Sequence, residues 1–134
     1  MLLDEDVIIN YCLFNTARSM KYISKVGYIY MDRPGSDSRR PFDRLKFLSY
    51  RIYFLDGIIV FAQDFFEHKK ILVNLALYCL ENNSLKEVLT KFEYDYNLFI
   101  SCLDRILNCK YISDEDKNEI RKKGKSLDFI KYNF

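Results

Sequence analysis

The feature that most constrains the fold is a long stretch of residues after Pro41 that contains almost no helix-breaking residue. Between Phe42 and Phe66 there is no proline and a single glycine, Gly57. Pro41 suits the first turn of a helix, because a proline there loses no backbone hydrogen bond and already has a helical φ. The run therefore predicts one helix over 42–66, about 37 Å long. Apolar residues cover several faces of its second half, so we expect this helix to be buried on several sides.

Apolar residues at helical spacing predict further helices on both sides of this run. The predicted ranges are 5–18, 68–81 and 85–107, with a short charged helix that starts at Ser113 and ends at Gly124. Ser84 and Glu87 have the spacing of a capping box, which predicts the start of the 85–107 helix. The predicted fold class is therefore mainly α, with four to five helices.

Residues 22–31 are predicted to form a short two-stranded β segment near the N-terminus. Their second half, Val26–Met31, is β-branched and aromatic and is too short for an independent helix. A strand pair of this length is marginally stable alone, so it needs a sheet partner or a helix that covers it. The following residues, 32–41, have turn chemistry throughout and are predicted to form a loop.

The size and charge of the chain limit its class. Its 134 residues suit one domain, 1–134, and 49% hydrophobic residues exclude a disordered chain. The net charge of +2 is too balanced for a dedicated nucleic-acid binder, and we expect no nucleic-acid partner. Residues 1–17 carry three acids and no base, whereas 18–51 carry nine bases and three acids. This basic stretch includes the predicted loop 32–41, which is either a binding site for an anionic ligand or a solvated surface.

The cysteines and the apolar stretches indicate the cellular setting. Cys12, Cys79, Cys102 and Cys109 include no CxxC pair and the chain has one histidine, which argues against a zinc or iron–sulfur site. Free buried thiols indicate a reducing compartment. No stretch has the composition of a signal peptide or a transmembrane segment. We expect a cytoplasmic location, with peripheral contact to a membrane left open.

Three sequence features then follow one another in a recognisable order. An acidic pair opens the first helix in Glu5-Asp6-Val7-Ile8-Ile9-Asn10, and a Tyr-rich stretch follows in Gly27-Tyr28-Ile29-Tyr30. The turn Arg33-Pro34-Gly35-Ser36 then precedes the long helix. This order resembles the C-terminal third of family 2 glycosyltransferases of the GT-A type, over residues 1–66. Residues 67–134 form a helical extension outside the resemblance.

The resemblance implies roles for particular residues. Asp6 matches the catalytic base of the family, which deprotonates the acceptor hydroxyl, and Glu5 lies beside it. The resemblance places Arg33, Ser36, Arg39 and Arg40 on the diphosphate side of the donor, where guanidinium groups would offset charge on the leaving group. Without the resemblance, the acids suit a helix start and the arginines a solvated loop.

The chain also departs from the family. These enzymes bind the nucleotide-sugar and a divalent metal through an N-terminal α/β half with an Asp-x-Asp motif. Asp4-Glu5-Asp6 has that spelling but opens a helix with no strand before it, so we expect no metal or other cofactor in this chain. A metal would belong to the full-length enzyme only.

The chain is thus expected to be a truncated transferase, inactive by itself because it lacks the donor-binding half. The apolar excess of the 42–66 helix predicts docking to that absent nucleotide-sugar-binding domain, or a homodimer. The alternative is a non-enzymatic helical interaction or dimerisation module.

Overall fold

The computed structural model of the chain describes residues 9–10, 13–14, 16–27, 29, 31, 34, 43–62 and 69–134. Five helices lie within residues 43–62 and 69–134. They are α1 (Arg44–Ala62), α2 (Lys69–Glu81), α3 (Leu85–Lys91), α4 (Glu93–Leu107) and α5 (Asp114–Lys125). The prediction of a mainly α fold is confirmed.

Helix α1 is the centre of the helical domain, residues 43–134. It contacts α2, α3 and α4, and contacts with three neighbours bury apolar residues on more than one of its faces. The α1 side chains that are at most 1% exposed are Leu48, Ile52, Leu55, Ile58 and Ile59. The sequence predicted burial on several sides, and this is confirmed. The expected docking of this helix to another domain stays a prediction, because Val60 in its second half is 62% exposed and the side chains of 61–66 lie outside the described residues.

Helix α1 begins at Arg44, two residues after the start that the sequence predicted at residue 42. Asp43 Oδ1 accepts hydrogen bonds from the backbone N–H groups of Leu45 (3.0 Å) and Lys46 (3.2 Å). Asp43 therefore acts as the N-cap and satisfies two of the donors that a helix start leaves open. Pro41 and residues 63–66, which the prediction included at the two ends, lie outside the described residues.

The predicted 85–107 helix is two helices, because the chain is extended at Phe92. This residue has φ −122° and ψ 95°, while its N–H still bonds to the carbonyl of Val88. The change of direction lets α3 and α4 both pack on α1 and also on each other. Phe92 is half-buried against the core. Neither glycine nor proline marks the break, so packing against α1 decides it.

The two predicted helix caps have different outcomes. Ser113 Oγ accepts from the N–H of Asp116 at 3.2 Å and caps α5 as predicted. Ser84 precedes α3 but makes no capping hydrogen bond with its side chain, so the capping box is wrong. Instead, Asn82 Oδ1 accepts from the N–H of Ser84 at 2.9 Å. Glu87, the other half of the expected box, lies 3.7 Å from Arg44 of α1.

The C-terminal residues after α5 pack back across the domain. Lys131 N–H donates to the Tyr96 hydroxyl at 2.9 Å, and the Tyr132 hydroxyl donates to Asp104 Oδ1 at 2.8 Å. The Phe134 ring lies directly over Gly124, where a Cβ atom would overlap the ring. Gly124 was expected to end the last helix, but α5 continues to Lys125. The glycine instead leaves room for the ring.

The N-terminal part differs from the prediction in its β segment. Five described residues are helical, Ile9, Asn10, Leu13, Phe14 and Thr16, and Ala17 N–H donates to Leu13 O at 2.9 Å. Within 22–31, the described residues 22–27, 29 and 31 have no strand conformation and are exposed. The predicted strand pair is therefore not found in this described part, where no neighbouring strand satisfies its backbone groups. Tyr28 and Tyr30 lie outside the described residues.

Candidate functional site

The residues that the resemblance implicates in catalysis are not among those the structure describes. They are Glu5, Asp6, Arg33, Ser36, Arg39 and Arg40. Pro34, between two of them, is described and exposed. The assigned roles of these residues therefore stay predictions, and the structure neither brings them together nor separates them. Two surfaces in the described residues do have the character of binding surfaces.

The first surface is a stretch that we call the exposed apolar segment, residues 20–31. Six of its large apolar side chains are between 65% and 89% exposed: Met20, Tyr22, Ile23, Val26, Ile29 and Met31. Soluble proteins expose single apolar side chains routinely, but a cluster of this density indicates an interaction surface. The described residues of the segment also have no strand to pair with. Among the described residues, no neighbouring element covers the apolar side chains of the segment or pairs with its backbone.

The second surface is a groove between the first two helices, which we call the α1–α2 groove. Its lining residues are Phe47, Arg51, Ile71, Asn74, Leu75 and Tyr78, and it has a volume of about 400 Å³. That size and the mainly apolar lining with a few polar groups are typical of ligand and peptide sites. The sequence prediction missed this groove, because residues on two separate helices form it.

Aromatic contacts hold the position of Arg51 in this groove. Its guanidinium carbon lies 4.6 Å from the centre of the Phe47 ring and 5.8 Å from that of Phe54. The three residues are spaced by four and three positions on α1, so they share one side of the helix. A cation over a ring face is attracted by the ring quadrupole. The groove therefore combines apolar walls with an oriented positive charge, a pattern visible in the sequence only as an arginine within an apolar helix.

A polar pocket continues from the groove past Tyr78. It has a volume of about 510 Å³ and is lined by Arg44, Tyr78, Glu81, Asn82, Asn83 and Ser84. Tyr78, which is 43% exposed, belongs to both. An occupant that followed α2 would thus meet apolar side chains first and hydrogen-bonding side chains afterwards.

A buried carboxylate joins α1 to α4. Asp95 is only 3% exposed, and Ser49 Oγ donates a hydrogen bond to its Oδ2 at 2.5 Å. The Tyr53 hydroxyl also donates a hydrogen bond to Asp95. Burial is the largest cause that raises the pKa of Tyr53 to about 12, and interactions with Asp95 and Tyr94 add to the shift. Asp95 lies in the first turn of α4, where the helix dipole favours a negative charge. The arrangement satisfies a buried acid and points to a structural role.

The described cysteines form no disulfide, and two of them are poorly suited to nucleophilic chemistry. Burial is the largest cause that raises the pKa of both Cys79 and Cys102 to about 12, and interaction with the Asp56 carboxylate adds to the shift at Cys102. The thiolate is the reactive form, so both groups are inert near neutral pH. The predicted burial of the thiols holds for Cys79 and Cys102, whereas Cys109 is half-buried and Cys12 lies outside the described residues.

The described residues contain neither a metal-binding cluster nor a membrane-spanning helix. No group of three His, Cys, Asp or Glu side chains in these ranges has an arrangement that could hold a metal ion. Within the same ranges, none of the helices has both the length and the apolar character to cross a membrane.

Comparison of the chain with protein-family models, curated proteins and solved structures finds no match. The glycosyltransferase resemblance therefore depends on the sequence features alone.

Proposed function

We propose that this chain supplies the acceptor side of a nucleotide-sugar-dependent transferase and docks onto a donor-binding α/β half. One structural observation carries the proposal. Six large apolar side chains of the exposed apolar segment are at least 65% exposed, and in the sequence this segment lies between the residues matched to the catalytic base and to the diphosphate side. A sheet edge on the donor-binding half would cover these side chains and pair their backbone groups. The order of motifs in the sequence supports the same assignment.

The chemistry assigned to the matched residues is acid–base and electrostatic. Asp6 would take the proton of the acceptor hydroxyl as that oxygen attacks the anomeric carbon, while the sugar–phosphate bond breaks. Arg33, Arg39 and Arg40, with Ser36, would stabilise the negative charge on the departing diphosphate. The donor and its divalent metal would be held by the other half. By itself the chain would then catalyse no transfer, because a base without a bound donor stabilises no transition state.

The test isolates the polypeptide that carries this sequence from its source cells, together with whatever is bound to it. Intact-mass spectrometry identifies the assembly, and release of nucleoside diphosphate from UDP-sugars with Mn²⁺ measures its activity. We expect Asp6→Asn to lower the rate by roughly 100-fold or more. Asp4→Asn is the matched control, and it should keep most of the activity. An assembly without a donor-binding half that binds no UDP-sugar in calorimetry contradicts the proposal.

The α1–α2 groove favours a second candidate, a non-enzymatic helical interaction module. Its mainly apolar lining and accessible Tyr78 suit a partner helix, and such a module needs neither Asp6 nor a nucleotide. Sedimentation of the purified chain over a hundredfold range of concentration distinguishes the cases. A tight dimer with no UDP-sugar binding supports the module. Nucleotide binding that Arg39→Ala or Arg40→Ala abolishes supports the transferase.

A further inference from the structure

We propose that the polar pocket next to the α1–α2 groove is a binding site for a neutral saccharide. The pocket lies where α2 ends and α3 begins. None of its lining residues is matched to the catalytic base or to the diphosphate side, so the inference does not depend on the proposed function. Four features support it: a buried hydroxyl, paired charges, the kinds of donor and acceptor that line the pocket, and the rigidity of the turn that presents them.

The first feature is the hydroxyl of Ser84. This residue is only 9% exposed, and its side chain makes no capping hydrogen bond to α3. Across the described ranges, Ser84 makes hydrogen bonds through its backbone alone, from its N–H to Asn82 and at its carbonyl from Val88. Most buried polar side chains in proteins have a hydrogen-bond partner. Because Ser84 lines the polar pocket, a ligand bound there can supply that partner.

The second feature is that both charged side chains of the pocket are already paired with an opposite charge. Arg44 Nη2 lies 3.7 Å from Glu87 Oε2, and Glu81 Oε1 lies 3.1 Å from Lys123 Nζ. An ionic ligand would compete with one of these pairs, whereas an uncharged ligand leaves both in place. The pocket therefore favours a neutral ligand.

The third feature is that the other lining groups match the chemistry of sugar hydroxyls, which both donate and accept hydrogen bonds. Asn82 Oδ1 accepts from Ser84 N–H, which leaves the Asn82 amide NH2 as a donor. The Asn83 amide and the hydroxyls of Tyr78 and Ser84 each supply a donor and an acceptor. Tyr78 is 43% exposed, so its ring can also contact the apolar C–H face of a pyranose. The volume of about 510 Å³ suits a mono- or disaccharide.

The fourth feature is that backbone hydrogen bonds hold the turn between α2 and α3. Asn82 N–H donates to Cys79 O at 3.2 Å, and Leu85 N–H donates to Asn82 O at 3.0 Å. The 2.9 Å bond from Ser84 N–H to Asn82 Oδ1 adds a third restraint. A site that is ordered before binding loses less conformational entropy when the ligand binds.

Saturation-transfer NMR on the purified full chain tests whether the site exists. The probes are glucose, galactose, N-acetylglucosamine and maltose, each added alone and without any nucleotide-sugar. We expect at least one of them to receive magnetisation from the protein and to give a saturable binding curve. Absence of a signal from all four overturns the proposal, because water would then be the only partner of the Ser84 hydroxyl.

Substitutions place the binding in this pocket. Ser84→Ala removes the buried hydroxyl and should weaken binding of the saccharide about twofold to tenfold. Asn83→Ala should have an effect of similar size, and Asn83 is exposed, so this variant tests the site even where Ser84→Ala alters the fold. Ser101→Ala and Asn97→Ala remove the same groups from the exposed surface of α4 and should leave binding unchanged. Circular dichroism checks the fold of each variant. Binding that survives both pocket substitutions contradicts the proposal.

Two further probes test the chemical class of the ligand. Glucose 6-phosphate should bind no more tightly than glucose, because the charges of the pocket are already paired. An uncharged peptide, acetyl-trialanine amide, should give no signal that depends on Asn83. Either a sugar phosphate that binds about tenfold more tightly than glucose or peptide binding that Asn83→Ala abolishes assigns the pocket to another class of ligand and overturns the proposal. Neither result affects the role proposed for Asp6, whose test requires the donor.

Discussion

The exposed apolar segment and helix α1 are similar in composition but opposite in environment. Both are rich in Ile, Tyr and Met or Phe, yet the segment leaves six large apolar side chains at least 65% exposed, whereas α1 buries five almost completely. The difference is the availability of neighbours. A helix satisfies its own backbone and needs only side-chain partners, which α2, α3 and α4 supply. An extended segment also needs a second strand for its backbone. Apolar composition therefore produces a core only where backbone and side chains can both be satisfied.

The largest expected effect is the difference in stability between truncating a buried apolar residue of α1 and truncating an exposed one of the segment. Leu55→Ala, at a fully buried position of α1, should lower the free energy of unfolding by about 2–5 kcal/mol, because it removes methyl groups and leaves a cavity. Ile23→Ala, at a position 66% exposed, should change it by less than about 0.5 kcal/mol. Urea denaturation measures both. A loss of similar size for Ile23→Ala would mean that the segment is packed in solution.

The next effect concerns the buried carboxylate of α4. Asp95→Ala should cost about 1–3 kcal/mol, because it removes the acceptor for the Ser49 and Tyr53 hydroxyls. Asp95→Asn retains an acceptor oxygen, so it should cost less. Asp128→Ala, an exposed acid, is the control and should be neutral to within about 0.5 kcal/mol. Equal stabilities for Asp95→Ala and Asp128→Ala would show that the buried network contributes nothing.

Alkaline pH tests the same domain through one half-buried tyrosine and two buried cysteines. Burial, with the Asp104 carboxylate, raises the pKa of Tyr132 to about 12, and Cys79 and Cys102 have similarly raised pKa values. The folded state therefore favours the neutral forms of these groups. Their contribution is complete below pH 9 and is lost as the pH rises from 9 to 12. Denaturation midpoints across this range should fall, and Tyr132→Phe should reduce the slope. A flat profile would contradict the raised values.

A smaller effect is expected where the C-terminal residues meet α5. Gly124→Ala places a methyl group in the space of the Phe134 ring, so the ring must leave its site. The loss should be about 1 kcal/mol, at the low end for overpacking, because the atoms in the way belong to one side chain and not to the backbone. In a Phe134→Ala background the same substitution should be neutral or stabilising, because alanine favours a helix over glycine by up to about 1 kcal/mol. Additive effects in this double-mutant cycle would show that the ring and the glycine are not in contact.

The smallest effects distinguish two serines that look alike in the sequence. Ser113→Ala removes the side-chain acceptor for Asp116 N–H and should cost about 1 kcal/mol. Ser84→Ala removes no capping bond and should be close to neutral. Thermal unfolding of the two variants measures the difference. Equal losses would mean that the Ser84 side chain does cap α3.

The sequence by itself determined which parts of this chain are helices and where several begin. Apolar spacing predicted α1 and α2, because a helical period is a local property of the sequence. Ser113 and the acids that follow it predicted the start of α5, because the capping hydrogen bond forms within one helical turn. The candidate catalytic residues were also sequence assignments, and they remain predictions outside the described ranges.

Only the tertiary structure decided how these helices share their surfaces. Asp95 is buried where α4 meets Ser49 of α1, and the two helices separated at Phe92 both pack on α1. The burial of apolar residues of α1 likewise depends on contacts with three neighbouring helices, which the sequence did not identify as its packing partners. Local free energies at such positions differ by about 1 kcal/mol or less, so packing against a neighbour overrides them.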